Sequence, residues 1–320
     1  MTPTTSAVAP RASVIIPNWN GLALLRPCLD SLRRQTCRDF EVIVVDNASS
    51  DNSVAALERD YPEVRVLAMP TNGGYSGGCN AGARLARGEV LVMLNNDTEA
   101  DPAWLAQLLA ALERHPEAGS AASRMMIYSE RNTLHSAGDL YRRDGRPDSR
   151  GVWRSYGPPY DQEGYVFGPC GGAAAYRRAL WEQLGGLEEA FFMYCEDVDL
   201  AWRAQWAGWK CIYAPQAIVY HHLSATGGGK LASFFVGRNT LWVIARNYPA
   251  TLLKRYWREV AAAQWRIARE ALRAWRGAAA RARLRGQLVG LLTWPRWLKA
   301  RRAIQSQRRV SEADVESLLE

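Results

Sequence analysis

Apolar residues come in short unbroken runs that close on polar clusters, with helical spacing between them. Ser13-Val-Ile-Ile-Pro17 ends at Asn18-Trp-Asn-Gly21, Glu41-Val-Ile-Val-Val-Asp46 at Asn47-Ala-Ser-Ser-Asp51, and Val90-Leu-Val-Met-Leu94 at Asn95-Asn96-Asp97. Runs this short and rich in branched residues predict strands buried on both faces, as in parallel sheets covered by helices. Helical spacing predicts a helix over 22–34, and a third strand over 64–68 makes the run at 90–94 the fourth. Strand, helix, strand is the βαβ unit of an α/β fold. In open α/β sheets ligands sit outside the carboxyl ends of the strands, where this chain carries Asp46 and Asp97. Asn and Asp also favour plain turns, so position alone does not decide their role.

Further along, Asn72-Gly-Gly-Tyr-Ser-Gly-Gly-Cys-Asn80 predicts a loop opening into a helix over 81–86. Its glycines 73, 74, 77 and 78 would let backbone approach a ligand closely, with helix N–H groups behind them. The loop lacks the Lys-Ser/Thr ending of a P-loop and the glycine spacing of a dinucleotide site. Asp101-Pro102 caps a helix over 103–114. Residues 128–165 show no sustained period and predict a binding loop or lid, part of an acceptor-side wall. Residues 167–172 lead to a predicted helix carrying Arg177 and Arg178.

A second polar cluster follows, with Glu196, Asp197 and Asp199 within four residues, a repulsive arrangement unless something uses it. Glu196 and Asp197 are predicted just ahead of a helix running to about 207. Asp199 falls in its first turn, favoured by the helix dipole and able to pair with Arg203 four residues on. A carboxylate at Asp197 can take the proton of an attacking hydroxyl. The strand predicted over 217–222 ends on His221-His222, and alternation lets only one of the two face the crevice.

Composition sharpens this picture. At 320 residues, 48% hydrophobic and 22% charged, the chain is globular. Its net charge of +8 is unevenly spread: residues 230–320 hold 19 Lys/Arg against 6 Asp/Glu, leaving 21 against 26 for the first 229. The basic segment holds six of the thirteen tryptophans. Trp257, Val260, Ala261, Trp265, Ala268, Leu272 and Trp275 recur at helical spacing opposite Arg258, Arg266, Arg269, Arg273 and Arg276, which predicts a helix lying in the plane of an anionic membrane surface. Helices packed back on the body are the alternative. No nucleic-acid fold accompanies the charge, so nucleic acid is not expected. The six cysteines show no C-x-x-C spacing and read as buried thiols of a reducing compartment. No secretory signal and no bilayer-spanning run is expected.

The stretches SVIIPNWN (13–20), VIVVDNASSDNS (42–53), NGGYSGGCNAG (72–82) and LVMLNNDTE (91–99) resemble, in order and spacing, family 2 glycosyltransferases, and most closely bacterial rhamnosyltransferase-like members that build cell-surface polysaccharide. The resemblance implies the GT-A fold, a Rossmann-like α/β domain binding a nucleotide-sugar and a divalent cation, Mn2+ or Mg2+. It divides the chain into a flexible tail (1–12), a GT-A domain (13–235) and a basic helical region (236–320). Asp46 matches the base-recognising aspartate, and its carboxylate suits a pyrimidine imide N–H. Asn95-Asn96-Asp97 matches the Asp-x-Asp motif, with Asn95 replacing one acid. Donor-side positions implied are Pro17, Asn18, Asn20, Asp46, Asn72, Gly73, Gly74, Gly78, Asn80, Asn95, Asn96, Asp97 and Arg238. Acceptor-side positions are Gly171, Gly172 and Trp202. Asp197, beside Glu196, matches the catalytic base, and Asp97 with His221, or alternatively His222, is the expected metal pair. The reaction implied is an inverting transfer, of rhamnose by resemblance, from a dTDP- or UDP-sugar to a lipid-linked or polysaccharide acceptor, at the cytoplasmic membrane face. A nucleotidyltransferase would leave the 196–197 cluster unexplained. A catalytically inactive, membrane-bound assembly partner is the reading that Asn95 favours.

Overall fold

A computed structural model describes residues 9–223 and 229–320. Most of the expected flexible tail, residues 1–8, lies outside the described residues.

The donor half follows the run-and-cluster pattern. Strands β1 (Ala12–Asn18), β2 (Phe40–Asp46), β3 (Arg65–Ala68) and β4 (Val90–Leu94) are parallel in the order β3-β2-β1-β4, with α1 (Leu22–Arg33), α2 (Ser53–Asp60) and α3 (Gly74–Leu85) as crossovers. Their branched residues, Val14 to Ile16, Ile43 to Val45 and Leu91 to Met93, are buried between helical layers. α3 starts at Gly74, so the glycine-rich stretch is itself helix rather than a loop before one. The reason is close packing: a Cβ on Gly78 would sit 2.9 Å from the Asn47 amide and 3.2 Å from Pro17, and one on Gly82 would collide with Ile15.

The second half departs further from expectation. After β5 (Thr98–Ala100) and α4 (Trp104–Arg114) comes β6 (Ala118–Ile127), buried along its whole length. Its Ala-Gly-Ser composition carries no strand signature, yet it lies inside the sheet, between β11 (Ala173–Arg177) and β12 (Lys210–His221). The segment expected as an irregular loop contains β7 (Glu130–Ser136), β8 (Asp139–Tyr141), β9 (Pro147–Ser149) and β10 (Gly164–Val166). Of these, β7 pairs with β6, β10 with β12, and β8 with β9. β11 inserts antiparallel between β4 and β6, so Arg177 ends a strand and only Arg178 begins α5 (Arg178–Leu184). This insertion brings the 170–172 turn against the carboxyl end of β4, where the Asn95 N–H donates to the Gly172 carbonyl at 2.9 Å.

α6 (Glu196–Trp206) carries the acidic cluster in its first turn. The chain then forms α7 (Gly229–Asn247), α8 (Ala250–Arg273), α9 (Ala278–Leu292), α10 (Leu298–Ser306) and α11 (Glu312–Glu316). α7 continues unbroken through position 236. These helices close a second core with α6, built on Trp202, Trp206, Trp242, Tyr248 and Trp297. α8 has two apolar faces. Leu252, Val260, Ala263 and Ala271 turn inward, whereas Trp257 and Trp265 are 54% and 66% exposed, as is Trp275 just beyond the helix at 58%. Among the described residues no helix is long and apolar enough to cross a membrane.

Candidate active site

Three strand ends meet at the donor side. Asn18, at the end of β1, links its neighbours: its amide N–H donates to Asp46 Oδ1 at 3.3 Å and to Ser53 Oγ at 3.1 Å, and its Oδ1 accepts from the Asn96 amide at 2.8 Å. Asp46 is buried and its Oδ2 accepts the Ser49 N–H at 2.9 Å, so the carboxylate is held in place with lone pairs to spare. Asn20 lies at a positive φ of 51° and its Oδ1 accepts from the N–H groups of Ser50 and Asp51, fixing the loop beyond Asp46. Asn72 caps the Gly74 N–H at 2.8 Å, and Gly73 donates to Asn47 at 3.3 Å.

At the end of β4, Asp97 is buried, with Oδ1 3.0 Å from His221 Nε2. The Asn95 amide lies 3.3 Å from the same nitrogen. His222 instead stacks on Tyr128 and donates its backbone N–H to the Asp97 carbonyl, so His221 is the histidine brought to Asp97. Behind it, His135 on β7 lies with Nδ1 3.1 Å from His221 Nδ1 and its ring stacked at 4.8 Å. Burial, and then the neighbouring His221, pull the His135 pKa down to about 3, so it is neutral at physiological pH. Sequence reasoning misses His135 because it falls in the segment without period.

Asp97, His135 and His221 share a cavity of about 330 Å³ with Gly171, Gly172, Glu196 and Asp197. Asp197 Oδ2 accepts the Gly171 N–H at 2.8 Å and its Oδ1 the Val198 N–H at 2.8 Å. Burial raises its pKa and those two N–H groups oppose the rise. Glu196 is pushed well up, by burial first and then by Asp197, and its Oε2 has no partner among the described residues. Three residues just before α6, Phe192, Tyr194 and Cys195, have φ of 66–67° without being glycine, a conformation costing about 1–2 kcal/mol each. Gly74 fits against this segment: a side chain there would run into the Phe192 carbonyl.

Several expected site residues face protein instead of the cavity. Trp202 is fully buried in an aromatic cluster with Tyr141, Phe167 and Tyr248, and so belongs to the core and not to an acceptor wall. Asn80 bridges to the Leu187 backbone and Glu189. Gly74 and Gly78 make room for protein, not ligand; among the glycines of that stretch Gly77 has open space beside it. Arg238 gives its guanidinium to the carbonyls of Ala190 and Phe191 and to Asn239, over the Trp242 ring. Asn239 in turn donates to the carbonyls of Phe191, Met193 and Tyr194. The Arg-Asn pair is thus a clamp on the strained segment. A wider surface cleft of about 590 Å³ includes Arg203 and Arg246, but both are already ion-paired, to Asp199 and to Glu188 and Asp199.

Among the described residues no third His, Cys, Asp or Glu joins Asp97 and His221. A carboxylate, an imidazole and a nearby amide fit Mg2+ or Mn2+ of the kind that completes its shell with substrate phosphates and water.

The chain matches the family model described as "Glycosyl transferase family 2" over residues 13–185. It is 32% identical over 232 residues to the N-acetylglucosaminyl-diphospho-decaprenol L-rhamnosyltransferase of Mycobacterium tuberculosis, covering 64% of this chain and 74% of that protein. It is 31% identical over 230 residues to the O-antigen biosynthesis protein RfbC of Myxococcus xanthus, covering 68% of this chain and 18% of that one. In fold it is similar to the mannosyltransferase PcManGT from Pyrobaculum calidifontis, solved in complex with GDP-Man and Mn2+, with a TM-score of 0.53, 19% identity, and coverage of 94% and 86% of the two chains.

Proposed function

Since this chain belongs to glycosyl transferase family 2, we propose that it moves L-rhamnose from dTDP-rhamnose to a hydroxyl of a lipid-linked or polysaccharide acceptor in cell-surface glycan synthesis, with inversion. The observation that carries the reading is Asp197: a carboxylate oriented by two N–H groups, in one cavity with Asp97 and His221. The Mycobacterium rhamnosyltransferase supports the sugar and the acceptor class.

Asp46 accepts the imide N–H of the thymine base, and Asn18 and Asn96 hold the strand ends that seat the nucleotide. Asp97 and His221 would hold the divalent cation, which when bound supplies positive charge to the departing diphosphate. Asp197 takes the proton of the acceptor hydroxyl as that oxygen bonds to the anomeric carbon and the bond to the diphosphate oxygen breaks. One displacement from the face opposite the leaving group inverts the centre. Burial and the neighbouring Asp197 push the Glu196 pKa well up, the direction that opposes a second negative charge in the cavity. The exposed Trp257, Trp265 and Trp275, interleaved with arginines, suit the headgroup layer of an anionic membrane at the cytoplasmic face.

The test is turnover of dTDP-rhamnose with a lipid-linked sugar acceptor, the product anomer read by NMR, beside thermal unfolding with dTDP, UDP, GDP and ADP with and without Mn2+. Asp197→Asn should abolish turnover while keeping the nucleotide-dependent shift. Turnover within about tenfold of the parent would remove Asp197 as base, and absence of turnover by the parent chain favours the inactive assembly partner suggested by Asn95.

A further inference from the structure

The half-buried arginines of the helical region have partners, with one exception. Arg246 faces carboxylates, Arg301 gives its guanidinium to the carbonyls of Ala245 and Ile244, and Arg238 to those of Ala190 and Phe191. Arg283, on α9, has no hydrogen bond or ion pair from its guanidinium among the described residues, and burial lowers its pKa. A cation drawn partly out of water without a counter-charge is destabilising, and an anion beside it would offset that.

Arg283 opens onto a cleft of about 450 Å³ between three helices. Its walls are apolar or small: Val236 from α7, Ile267 and Ala271 from α8, Ala279 and Ala280 from α9. Glu270 and Arg146 also line it, and Arg146 is paired with Asp144. The α8 and α9 walls lead to the end of α8 and the turn beyond it, which carry the exposed Leu272 and Trp275 respectively. Toward the protein, Thr240 and Arg283 adjoin Cys195, and Cys195 lines the catalytic cavity two residues before Asp197. Two residues of chain span at most about 7 Å, the size of one sugar ring.

We propose that this cleft binds the diphosphate and adjoining hydrocarbon of a lipid-linked acceptor, with Arg283 as the anion contact. The charge, the apolar walls and the mouth beside exposed tryptophan suit one amphiphile: a lipid tail leaving toward the membrane, a diphosphate at Arg283, and a sugar beyond it at Asp197. The inference rests on the glycosyl transfer proposed above and names where the acceptor is held.

Binding of geranylgeranyl diphosphate in detergent micelles to the full chain tests it, with inorganic pyrophosphate and geranylgeraniol as separate probes and a dTDP–Mn2+ thermal shift on the same samples. The parent should prefer geranylgeranyl diphosphate to either fragment. Arg283→Met should weaken its binding about tenfold or more, and Arg302→Met, the same charge loss at an exposed position, should not. Ala280→Phe, which fills the cleft, should also weaken lipid-diphosphate binding while the nucleotide shift persists. Equal binding by Arg283→Met and parent overturns the proposal. So does pyrophosphate binding as tightly as the lipid diphosphate, which would make this a plain phosphate site. A missing nucleotide shift in the parent would instead overturn the transferase reading on which the cleft depends.

Discussion

Asp199 holds the catalytic helix to the helical region, and replacing it by Asn gives a quantitative test. The carboxylate is fully buried; it meets Arg203 at 2.8 Å, Arg246 at 2.9 Å and the Asn247 amide at 2.7 Å. Burial by itself would raise its pKa, but Arg203, Arg246 and Asn247 outweigh burial and hold the carboxyl below its usual value. A neutral amide in its place would leave two guanidinium groups, 6% and 12% exposed, short of a counter-charge. Removing one partner of a buried pair costs about 3–5 kcal/mol, and the surviving Arg246–Glu188 pair at 2.8 Å puts this case at the low end. With a slope of roughly 3 kcal/mol per molar urea, the unfolding midpoint should drop by about 1 M. The pH dependence carries a sign. Because the folded pKa is depressed, Asp199 contributes its stability above the unfolded value of about 3.9 and loses it as pH falls through the lower folded pKa. The gap between parent and Asp199→Asn should therefore be full at about pH 7 and narrow below about pH 4. A gap under about 1 kcal/mol at neutral pH, or one that does not narrow in acid, would refute the account. A double-mutant cycle with Arg203→Met should return a coupling of about 0.5–3 kcal/mol.

Two further substitutions separate positioning from packing. Were His221 to hold a cation, an Nδ1–H on its ring would donate to His135 Nδ1, 3.1 Å away; His135→Leu should then weaken Mn2+ binding, read by electron paramagnetic resonance, about tenfold or more, while His135→Asn, whose Oδ1 can accept, should keep most of it. Equal Mn2+ affinity in both would show that His135 only fills space. Gly74→Ala sets a side chain at φ +68° against Phe192 and should abolish turnover and lower the melting temperature, whereas Gly77→Ala, with open space, should spare the melting temperature; a fully active Gly74→Ala chain would mean the two segments do not meet as described.

The donor half is legible because its strands are apolar runs that stop at polar residues, so both the strands and the ligand side follow from one pattern. β6 escapes because strands packed by Ala, Gly and Ser carry no β-branched signal, and tertiary context alone makes that segment a strand. The resemblance points to Asp46, Asp97, His221 and Asp197, and the Asp199–Arg203 pair follows from helical spacing. Neither reveals that the Asn80 and Arg238 side chains are already spent on protein or that Trp202 is core, which only the folded chain shows. His135 joins the site through β7, a strand too polar to be read as one.

The clamp made by Arg238 and Asn239 has a consequence for how the protein comes apart. It lies on α7, well after the donor-side strand ends, yet it grips four carbonyls of the segment that delivers Glu196 and Asp197. The segment that bears the acidic pair is therefore not self-supporting. A chain cut before α7 would release three left-handed residues to relax, and nucleotide capture would outlive transfer. A force that tugs the helical region, such as docking of its tryptophan-bearing face, would reach the carboxylate that does the chemistry through this guanidinium and amide as well as through the Asp199 pairs on α6.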